Sequence, residues 1–343
     1  MKEKNEKKPL TKKAQILIIC GCISAGVLVG GGSGLLFGYL LKAPVIDFTK
    51  VNIDDLEGEQ DADADSALLR KLEDCLKNNE DPTSIFKLHE IVRLATLKFS
   101  ASTNSLTYGY GSAINGAADL DIRNCTIRNG NKYMEESSSK TRSGALVDIN
   151  IAQRDIQDGT NDSDTVNSYR GTIVDKVDNS AFDNAKTTQY TVKEYEKRYG
   201  KKVSSPSVYI VNEKTILTVD NPQVDTSGNS TAGESKITKV DGGYKVYLEL
   251  HTQYAVARYY YRMVNLSEST VSSFNYVHLI YNLDSELNIV STEVNEEYFA
   301  GKAGVSAKVN GNLKTYFFTK DVNITIPDTN TKITYPVEGE QNA

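Results

Sequence analysis

The feature that most constrains this chain is a run of 28 residues without a charge, from Ala14 to Leu41. At about 1.5 Å of rise per helical residue, this run is longer than the roughly 30 Å hydrocarbon core of a bilayer. A soluble helix of this length would show a charged face, and none exists here. The run therefore predicts a single membrane-spanning helix over residues 14–41.

Charge on the two sides of the predicted span sets its orientation. Residues 1–13 form a basic stub with six lysines and two glutamates, a charge of +4. Because the whole chain carries a formal charge of −6, the remainder carries −10. The positive-inside rule then predicts a single-pass protein of the cell membrane, with a cytoplasmic N-terminus and an extracytoplasmic body. An acidic body also argues against nucleic acid as a partner.

Two alternatives to a retained anchor concern the same apolar run. Cleavable signals have apolar regions of about 7–15 residues; this run is longer, and Pro44 stands in a poor position for cleavage. The segment Ile19–Cys22 faintly resembles a lipidation motif, but the residues after Cys22 stay apolar, whereas lipoproteins usually become polar there. The sequence therefore favours an uncleaved helical anchor.

Glycines share one face of the predicted span. They recur every four residues, at Gly26, Gly30, Gly34 and Gly38. A stripe of this kind lets two helix backbones approach closely, which predicts packing of the span into a homodimer. The other interpretation is chance, because glycine is common in membrane helices.

The pattern beyond the span defines three further regions. Residues 42–65 form an acidic linker, 66–320 an extracytoplasmic domain, and 321–343 a C-terminal strand and polar tail. The acidic run at 61–65 is spaced like the start of a calcium loop. However, Ser66 and Leu72 stand where the EF-hand pattern needs Gly and Glu. We therefore predict no bound metal and no cofactor.

The domain is predicted to be α+β, with helices first and a long antiparallel sheet after them. Apolar residues recur at helical spacing over 68–76, and a second helix is predicted from Pro82 to about residue 97. From Ser100 the period changes to two, as in strands with one buried face, and Asn129-Gly130 and Asp241-Gly242 mark hairpins. Strands or strand hairpins are predicted at 103–114, 118–129, 131–139, 145–157, 165–175, 207–219, 234–251, 274–298 and 312–326, and short helices at 188–200 and 253–264. The tyrosine run in the second of these helices would also suit a strand.

Few residues in the chain suit catalysis. It has three histidines and lacks the zinc-protease, hydrolase-elbow and P-loop motifs. Ser84 and Lys87 have the S-x-x-K spacing of serine acyl-enzymes, but the companion K-T-G is missing. The adjacent acidic pairs Glu135-Glu136 and Glu296-Glu297 point to opposite faces of predicted strands, and we expect solvated strand edges there. We predict that the protein is not an enzyme.

Cysteines and tyrosines leave alternatives open. Cys75 and Cys125 are the cysteines beyond the span; they form either a disulfide, as extracytoplasmic proteins allow, or two independent buried thiols. The run Tyr259–Tyr261 either lines the mouth of a groove or packs in the core.

The order of these elements resembles a known group. The segment FNYVHLIYNLDSELNIVSTEV at 274–294, together with the elements of 66–320, resembles the LolA-like and LppX-like lipoprotein-carrier proteins with an unclosed barrel. The resemblance implies a curved, half-barrel-like sheet that wraps short plug helices and holds acyl chains. It carries over no functional residue. Those carriers are soluble or lipidated at a cysteine, whereas this chain is predicted to be anchored by a helix.

Two functions are consistent with these patterns. The first is a membrane-anchored extracytoplasmic binding module of a bacterial envelope, which holds an apolar or amphiphilic ligand in the groove of a curved sheet. The second is a structural or interaction protein that binds another envelope protein and self-associates through its membrane helix.

Overall fold

The computed structural model of the protein describes residues 62–115, 118–143, 147–158, 165–173, 185–199, 209–224, 228–260, 270–302, 305–319 and 325–326. The predicted basic stub, the span with its glycine stripe, and nearly all of the linker lie outside these residues. Within them, no helix combines the length and the apolar character that a bilayer crossing requires. The described residues form the sheet-dominated α+β fold that the sequence predicts.

Three of the helices precede the sheet in the chain. The helices are α1 (Ala62–Lys77), α2 (Pro82–Ile85), α3 (Leu88–Ala101) and α4 (Val192–Tyr199). Asp63 and Asp65 lie in the first turn of α1, where a negative charge stabilises the positive end of the helix dipole. Asp65 also accepts a hydrogen bond at 3.0 Å from the Nε of Arg93, and this pair ties α1 to α3.

The second predicted helix is divided in two. Asp81 caps α2 by accepting a hydrogen bond from the backbone N–H of Thr83 at 3.0 Å. Phe86 then turns into the core with an extended backbone (ψ 144°), so that α2 ends after one turn. Helix α3 begins after Lys87, whose backbone N–H donates to the side chain of Glu90 at 2.7 Å. Burial of one aromatic side chain thus outweighs the continuous helical pattern.

The strands are numbered in chain order. They are β1 (Asn104–Asn115), β2 (Ala118–Asn129), β3 (Lys132–Ser143), β4 (Val147–Asp158), β5 (Thr165–Ile173), β6 (Lys186–Thr191), β7 (Gln223–Val224), β8 (Ser230–Thr231), β9 (Lys236–Val240), β10 (Gly243–Glu249), β11 (Thr270–Asp284), β12 (Ile289–Lys302) and β13 (Val305–Phe318). Strands β7 and β8 form a small separate pair.

Eleven of these strands build one antiparallel sheet. Its order is β6-β5-β4-β3-β2-β1-β13-β12-β11-β10-β9. Neighbours in the sheet are neighbours in the chain, except where β1 pairs with β13, from Leu106↔Phe318 to Asn115↔Val309. The sheet therefore consists of two meanders, which we call the N-half (β1–β6) and the C-half (β9–β13), joined at this one seam.

The predicted hairpins are confirmed where turn residues marked them. Gly130 and Gly242 adopt φ values of 58° and 75°, which suit glycine at the tight turns between β2 and β3 and between β9 and β10. The prediction of a strand hairpin over 207–219 is wrong. In the described part of this segment, Asn212 accepts from the backbone N–H of Lys214 at 3.0 Å, so its side chain forms a turn in place of a ladder.

The helix predicted over 188–200 is confirmed only in its second part. Strand β6 extends to Thr191 and pairs with β5, and α4 begins at Val192. Of the helix predicted over 253–264, residues 257–260 are helical and the segment before them forms turns. Thr188 and Thr191, which the helical spacing had assigned to a helix, are β-prone residues and pair with β5 instead.

The main core lies on one face of the sheet, which we call the inner face. On the C-half this face presents apolar side chains such as Val277 and Leu279, and α1 and α3 pack on it with Leu72 and Leu94. Phe99 of α3 meets Phe317 of β13 edge-on, with ring centroids 5.0 Å apart. Each such buried aliphatic or aromatic side chain stabilises the fold by about 1.5–3 kcal/mol.

The two cysteines are independent buried thiols. Cys75 lies in the main core, where its Sγ donates to the carbonyl of Glu80 at 3.4 Å. Cys125 lies on the opposite, outer face of the sheet, in a small cluster with Ile127 and Met134. Both are free, so the disulfide alternative is wrong.

Candidate functional site

Much of the inner face of the N-half is polar. Pairing across the strands aligns Asn124 with Ser137 and Gln153 in one row, and Glu135 with Asp155 and Ser168 in the next. Ser139 and Thr141 continue the same face of β3. We call this set the polar wall, and its members are Asn124, Glu135, Ser137, Ser139, Thr141, Gln153, Asp155 and Ser168.

Six of the eight residues of the polar wall are buried although their side chains are hydrophilic. Ser139 is 3% exposed and Thr141 is 2% exposed, and Gln153 and Asp155 are buried to a similar degree. Polar side chains of this kind normally face water, and they are buried when hydrogen bonds compensate for lost solvation. The partners of these groups therefore decide what the wall can do.

One end of the polar wall forms a closed hydrogen-bond network. The amide of Gln153 donates to both carboxylate oxygens of Asp155 at 3.1 Å, and to the hydroxyl of Ser168 at 3.3 Å. Tyr195 of α4 donates to the same carboxylate at 3.1 Å. The pKa of Asp155 is raised to about 6, because burial and the opposing Glu135 outweigh the hydrogen bonds from Ser168, Gln153 and Tyr195, which lower it.

Local sequence positions the tyrosine that covers this end. Thr191 and Glu194 form a reciprocal cap at the start of α4: the backbone N–H of Thr191 donates to Glu194 at 2.9 Å, and that of Glu194 donates to Thr191 Oγ1 at 3.2 Å. Such a capping box fixes where a helix begins. It holds Tyr195, the next residue, at 1% exposure against the wall.

The other end of the polar wall has unsatisfied groups. Asn124 Oδ1, Ser139 Oγ and Thr141 Oγ1 are buried and have no hydrogen-bond partner among the described residues. Ser139 and Thr141 alternate along β3, and Asn124 lies diagonally across from Ser139 on β2. Strand geometry spaces such positions by about 7 Å. Buried polar atoms without partners are rare in proteins, so each of these three calls for an explanation.

A charged pair supports the wall from the outer face. Arg154 and Glu136 lie opposite each other on β4 and β3, with Arg154 Nη2 2.6 Å from Glu136 Oε2 and Nε 2.9 Å from the same oxygen. The Arg154 side chain is fully buried. Cys125 is the cross-strand neighbour of Glu136, and burial raises the pKa of its thiol well above the usual range.

A second buried polar centre lies in the C-half. Glu296 is 4% exposed and sits on the inner face of β12, opposite Gly311. Its carboxylate accepts hydrogen bonds from Tyr209 and, at 3.0 Å, from Tyr259. Burial raises the pKa of Glu296 to about 7. A Cβ at position 311 would lie 3.3 Å from the Glu296 side chain, so the glycine makes room for the carboxylate.

The prediction for the adjacent acidic pairs is correct for the direction of the side chains and partly wrong for their exposure. Each pair does point to opposite faces, but Glu136 and Glu296 are buried, so the expectation of solvated strand edges is wrong for them. Of the tyrosine run, Tyr259 is buried in the core and Tyr260 is partly buried against it. Core packing is therefore correct for these two, and Tyr261 lies outside the described residues.

The residues singled out for catalysis are not brought together. The hydroxyl of Ser84 donates to the carbonyl of Asp81 at 2.7 Å, while the Lys87 ammonium contacts Glu213 at 3.2 Å on the surface. In the ranges that the structure describes, no three His, Cys, Asp or Glu side chains could hold a metal ion. The wall residues were missed because alternation in 132–142 marks a strand but does not show that its polar face is enclosed.

Comparison with known proteins adds little to this geometry. No family model and no curated protein matches the chain. Among solved structures, a porin-like protein from Bacteroides uniformis matches at 10% identity with a TM-score of 0.20, over 63% of this chain and 98% of its own. A DUF1329 family protein from Desulfovibrio piger matches at 7% identity with a TM-score of 0.21, over 69% of this chain and 93% of its own. Resemblances this distant support no inference, and the likeness to lipoprotein carriers stays a prediction.

Proposed function

We propose that the protein is a membrane-anchored extracytoplasmic binding module of a bacterial envelope, and that the polar wall is its binding surface. The supporting observation is the set of three buried oxygens on Asn124, Ser139 and Thr141 that have no hydrogen-bond partner in the part of the chain that the structure describes. The basic stub, the uncharged run and the acidic body support the anchored, outward-facing arrangement. The proposed activity is binding, without catalysis.

The character of the wall narrows the expected ligand. A purely apolar ligand placed here would leave the hydroxyls of Ser139 and Thr141 without hydrogen bonds, at a cost of about 1–3 kcal/mol for each such group. An amphiphilic ligand satisfies them with its polar part and uses apolar neighbours of the wall, such as Ile122 and Ile151, for the rest. We therefore favour an amphiphilic ligand over a purely apolar one.

The binding proposal is tested by mass spectrometry of organic extracts from the purified full-length chain. The test variant is the double substitution Ser139→Ala/Thr141→Val, and the matched control is Ser138→Ala, which changes the same residue type on the other face of β3. We expect an amphiphile to copurify with the native chain and the control, and to be lost from the double variant. Identical extracts from all three proteins would overturn the proposal.

The anchoring is tested separately by fractionation of cells that express a C-terminally tagged chain. We expect the tag in the membrane fraction, resistant to alkaline extraction, and open to protease added from outside. Recovery of the tagged chain as a freely dissolved cytosolic protein would contradict the anchor and the orientation together.

The second candidate, an interaction protein that pairs through its span, is supported by the register of Gly26, Gly30, Gly34 and Gly38. Pairing through the helix leaves the polar wall available and is compatible with ligand binding. The two proposals are therefore tested by different measurements.

A further inference from the structure

The unpartnered atoms of the polar wall specify a ligand by their hydrogen-bonding types. The amide oxygen of Asn124 only accepts hydrogen bonds, whereas the hydroxyls of Ser139 and Thr141 each donate one and accept others. A partner for all three has to donate and accept within a short distance. A hydroxyl group does both, and several neighbouring hydroxyl groups serve all three positions.

Charge around these atoms disfavours an ionic ligand. Glu135 and Asp155 lie on the same face, directly opposite each other, and Arg170 is the neighbour of Gln153 on that face, so charges of both signs lie at that end of the wall. Asp155 already accepts from Gln153 and Tyr195, and Glu135 accepts from Tyr133 at 3.1 Å. The neighbours of Ser139 and Thr141 on β2 are Ile122 and Leu120, which carry no charge. The expected group is therefore neutral.

Apolar side chains alternate with the oxygens. Ser139 stands in its row between Ile122 of β2 and Ile151 of β4, and Thr141 stands beside Leu120. A ligand that covers this patch meets both hydrogen-bonding groups and aliphatic surface within about 7 Å. A sugar ring has this composition, with hydroxyls at its edge and C–H groups on its faces.

We propose that the polar wall binds a neutral, polyhydroxylated group of the saccharide class at Asn124, Ser139 and Thr141. This inference rests on the proposed function and names the polar part of its ligand. The group arrives either as a free saccharide or as the headgroup of a glycolipid. The shared chemistry is the same, and the experiment distinguishes the two sources.

The test titrates the full-length protein, in a detergent without a sugar headgroup, with three probes. Methyl glucoside represents a free saccharide, glucosyl diacylglycerol a neutral glycolipid, and phosphatidylglycerol an anionic lipid that shares its acyl chains. Calorimetry is expected to show saturable binding of one or both sugar probes. Binding of the glycolipid alone identifies a headgroup, and binding of methyl glucoside identifies a free saccharide.

The variants Ser139→Ala/Thr141→Val and Ser138→Ala separate binding from folding. Because the two hydroxyls have no hydrogen-bond partner within the described ranges, replacing them by apolar groups of similar shape is expected to leave the unfolding midpoint unchanged or higher. The affinity for the sugar probe is expected to fall about tenfold in the double variant, since two hydrogen bonds to the ligand are lost. Ser138→Ala is expected to retain native affinity.

The inference is overturned if neither sugar probe binds, or if the double variant binds them as the native protein does. Its failure is distinct from failure of the proposed function. Copurification of an amphiphile without hydroxyl groups, dependent on Ser139 and Thr141, would support the binding module and contradict the saccharide proposal. An absence of any copurified or titrated ligand would remove both.

Discussion

Glu296 places an acidic group in the apolar core, and its titration makes the stability of the folded state depend on pH. Burial raises its pKa to about 7, from 4.5 for an exposed glutamate. The folded state therefore holds the proton more tightly than the unfolded state. The contribution of Glu296 to stability is therefore greatest below about pH 4.5, and it is lost as the pH rises through about 7.

Replacing the carboxyl by an amide removes this dependence. Glu296→Gln keeps groups able to contact Tyr209 and Tyr259 but cannot ionise. We expect it to raise the free energy of unfolding at pH 8 by up to about 3 kcal/mol, from about 1.4 kcal/mol per pKa unit, and to change little at pH 4. Urea unfolding at both pH values measures this.

Glu293→Gln is the control, because Glu293 is half-buried on the outer face of the same strand. It is expected to change stability little at either pH. Equal destabilisation of Glu296→Gln at pH 4 and pH 8 would mean that the carboxylate itself is needed for packing, contrary to this account.

The buried pair Arg154–Glu136 gives a second expectation. Truncation by Glu136→Ala removes the carboxylate from a fully buried guanidinium and is expected to cost about 3–5 kcal/mol. The double variant Glu136→Leu/Arg154→Met, which replaces the pair by apolar side chains, is expected to recover most of this loss. Thermal or urea unfolding of the three proteins gives the comparison.

An exposed pair on the same sheet serves as the reference. Arg142 and Asp121 contact each other with both side chains about half exposed, so Asp121→Asn is expected to cost less than about 1 kcal/mol. If the exposed and buried substitutions cost the same, burial of Arg154 has no energetic role.

At the scale of elements, local signals determined what could be predicted. Gly130 and Gly242 occupy turns that need positive φ, so the hairpins they join were predictable from the sequence alone. Asn212 was not recognised, because its side chain builds a turn between residues that alternate like a strand. In the same way, a strand was predictable at Ser139. Whether the face of that strand is exposed to water depends on the distant segments that pack on it, which local sequence does not show.

The predicted membrane helix is an element that a single substitution tests. Gly30→Leu places a large side chain in the middle of the glycine stripe and is expected to prevent close helix approach. Crosslinking in membranes should then show dimers for the native chain and monomers for the variant. Leu28→Ala, on another face of the helix, is the control. If the native chain gives only monomers, the proposal of self-association through this face is contradicted.

At the scale of the molecule, both halves of the sheet depend on the seam between β1 and β13. Local hairpin patterns cannot reveal this pairing, because its partners are separated by nearly all of the sheet-forming sequence. At Gly111 the two strands approach so closely that a Cβ would lie 2.3 Å from the carbonyl oxygen of Asn312. Gly111 therefore sets the distance between the halves.

Gly111→Ala is expected to force the seam apart and to destabilise the protein by about 3 kcal/mol or more, at the upper end for overpacking. Gly109→Ala, two residues away on the same face, meets the Thr315 side chain at 3.0 Å and is expected to cost less. Hydrogen exchange should show loss of protection on both sides of the seam in the first variant. Loss confined to β1 and β13 would show that each half is stable alone.

The position of the seam also governs the order of folding. A ribosome completes β1 at Asn115 long before it reaches β13 at Val305, so the early meander carries an unpaired strand edge throughout synthesis. Exposed edges invite wrong partners, and pairing between distant segments is slow. We therefore expect the nascent chain to need protection until β13 is made and pairs with β1. A chaperone or rapid transfer across the membrane would provide it.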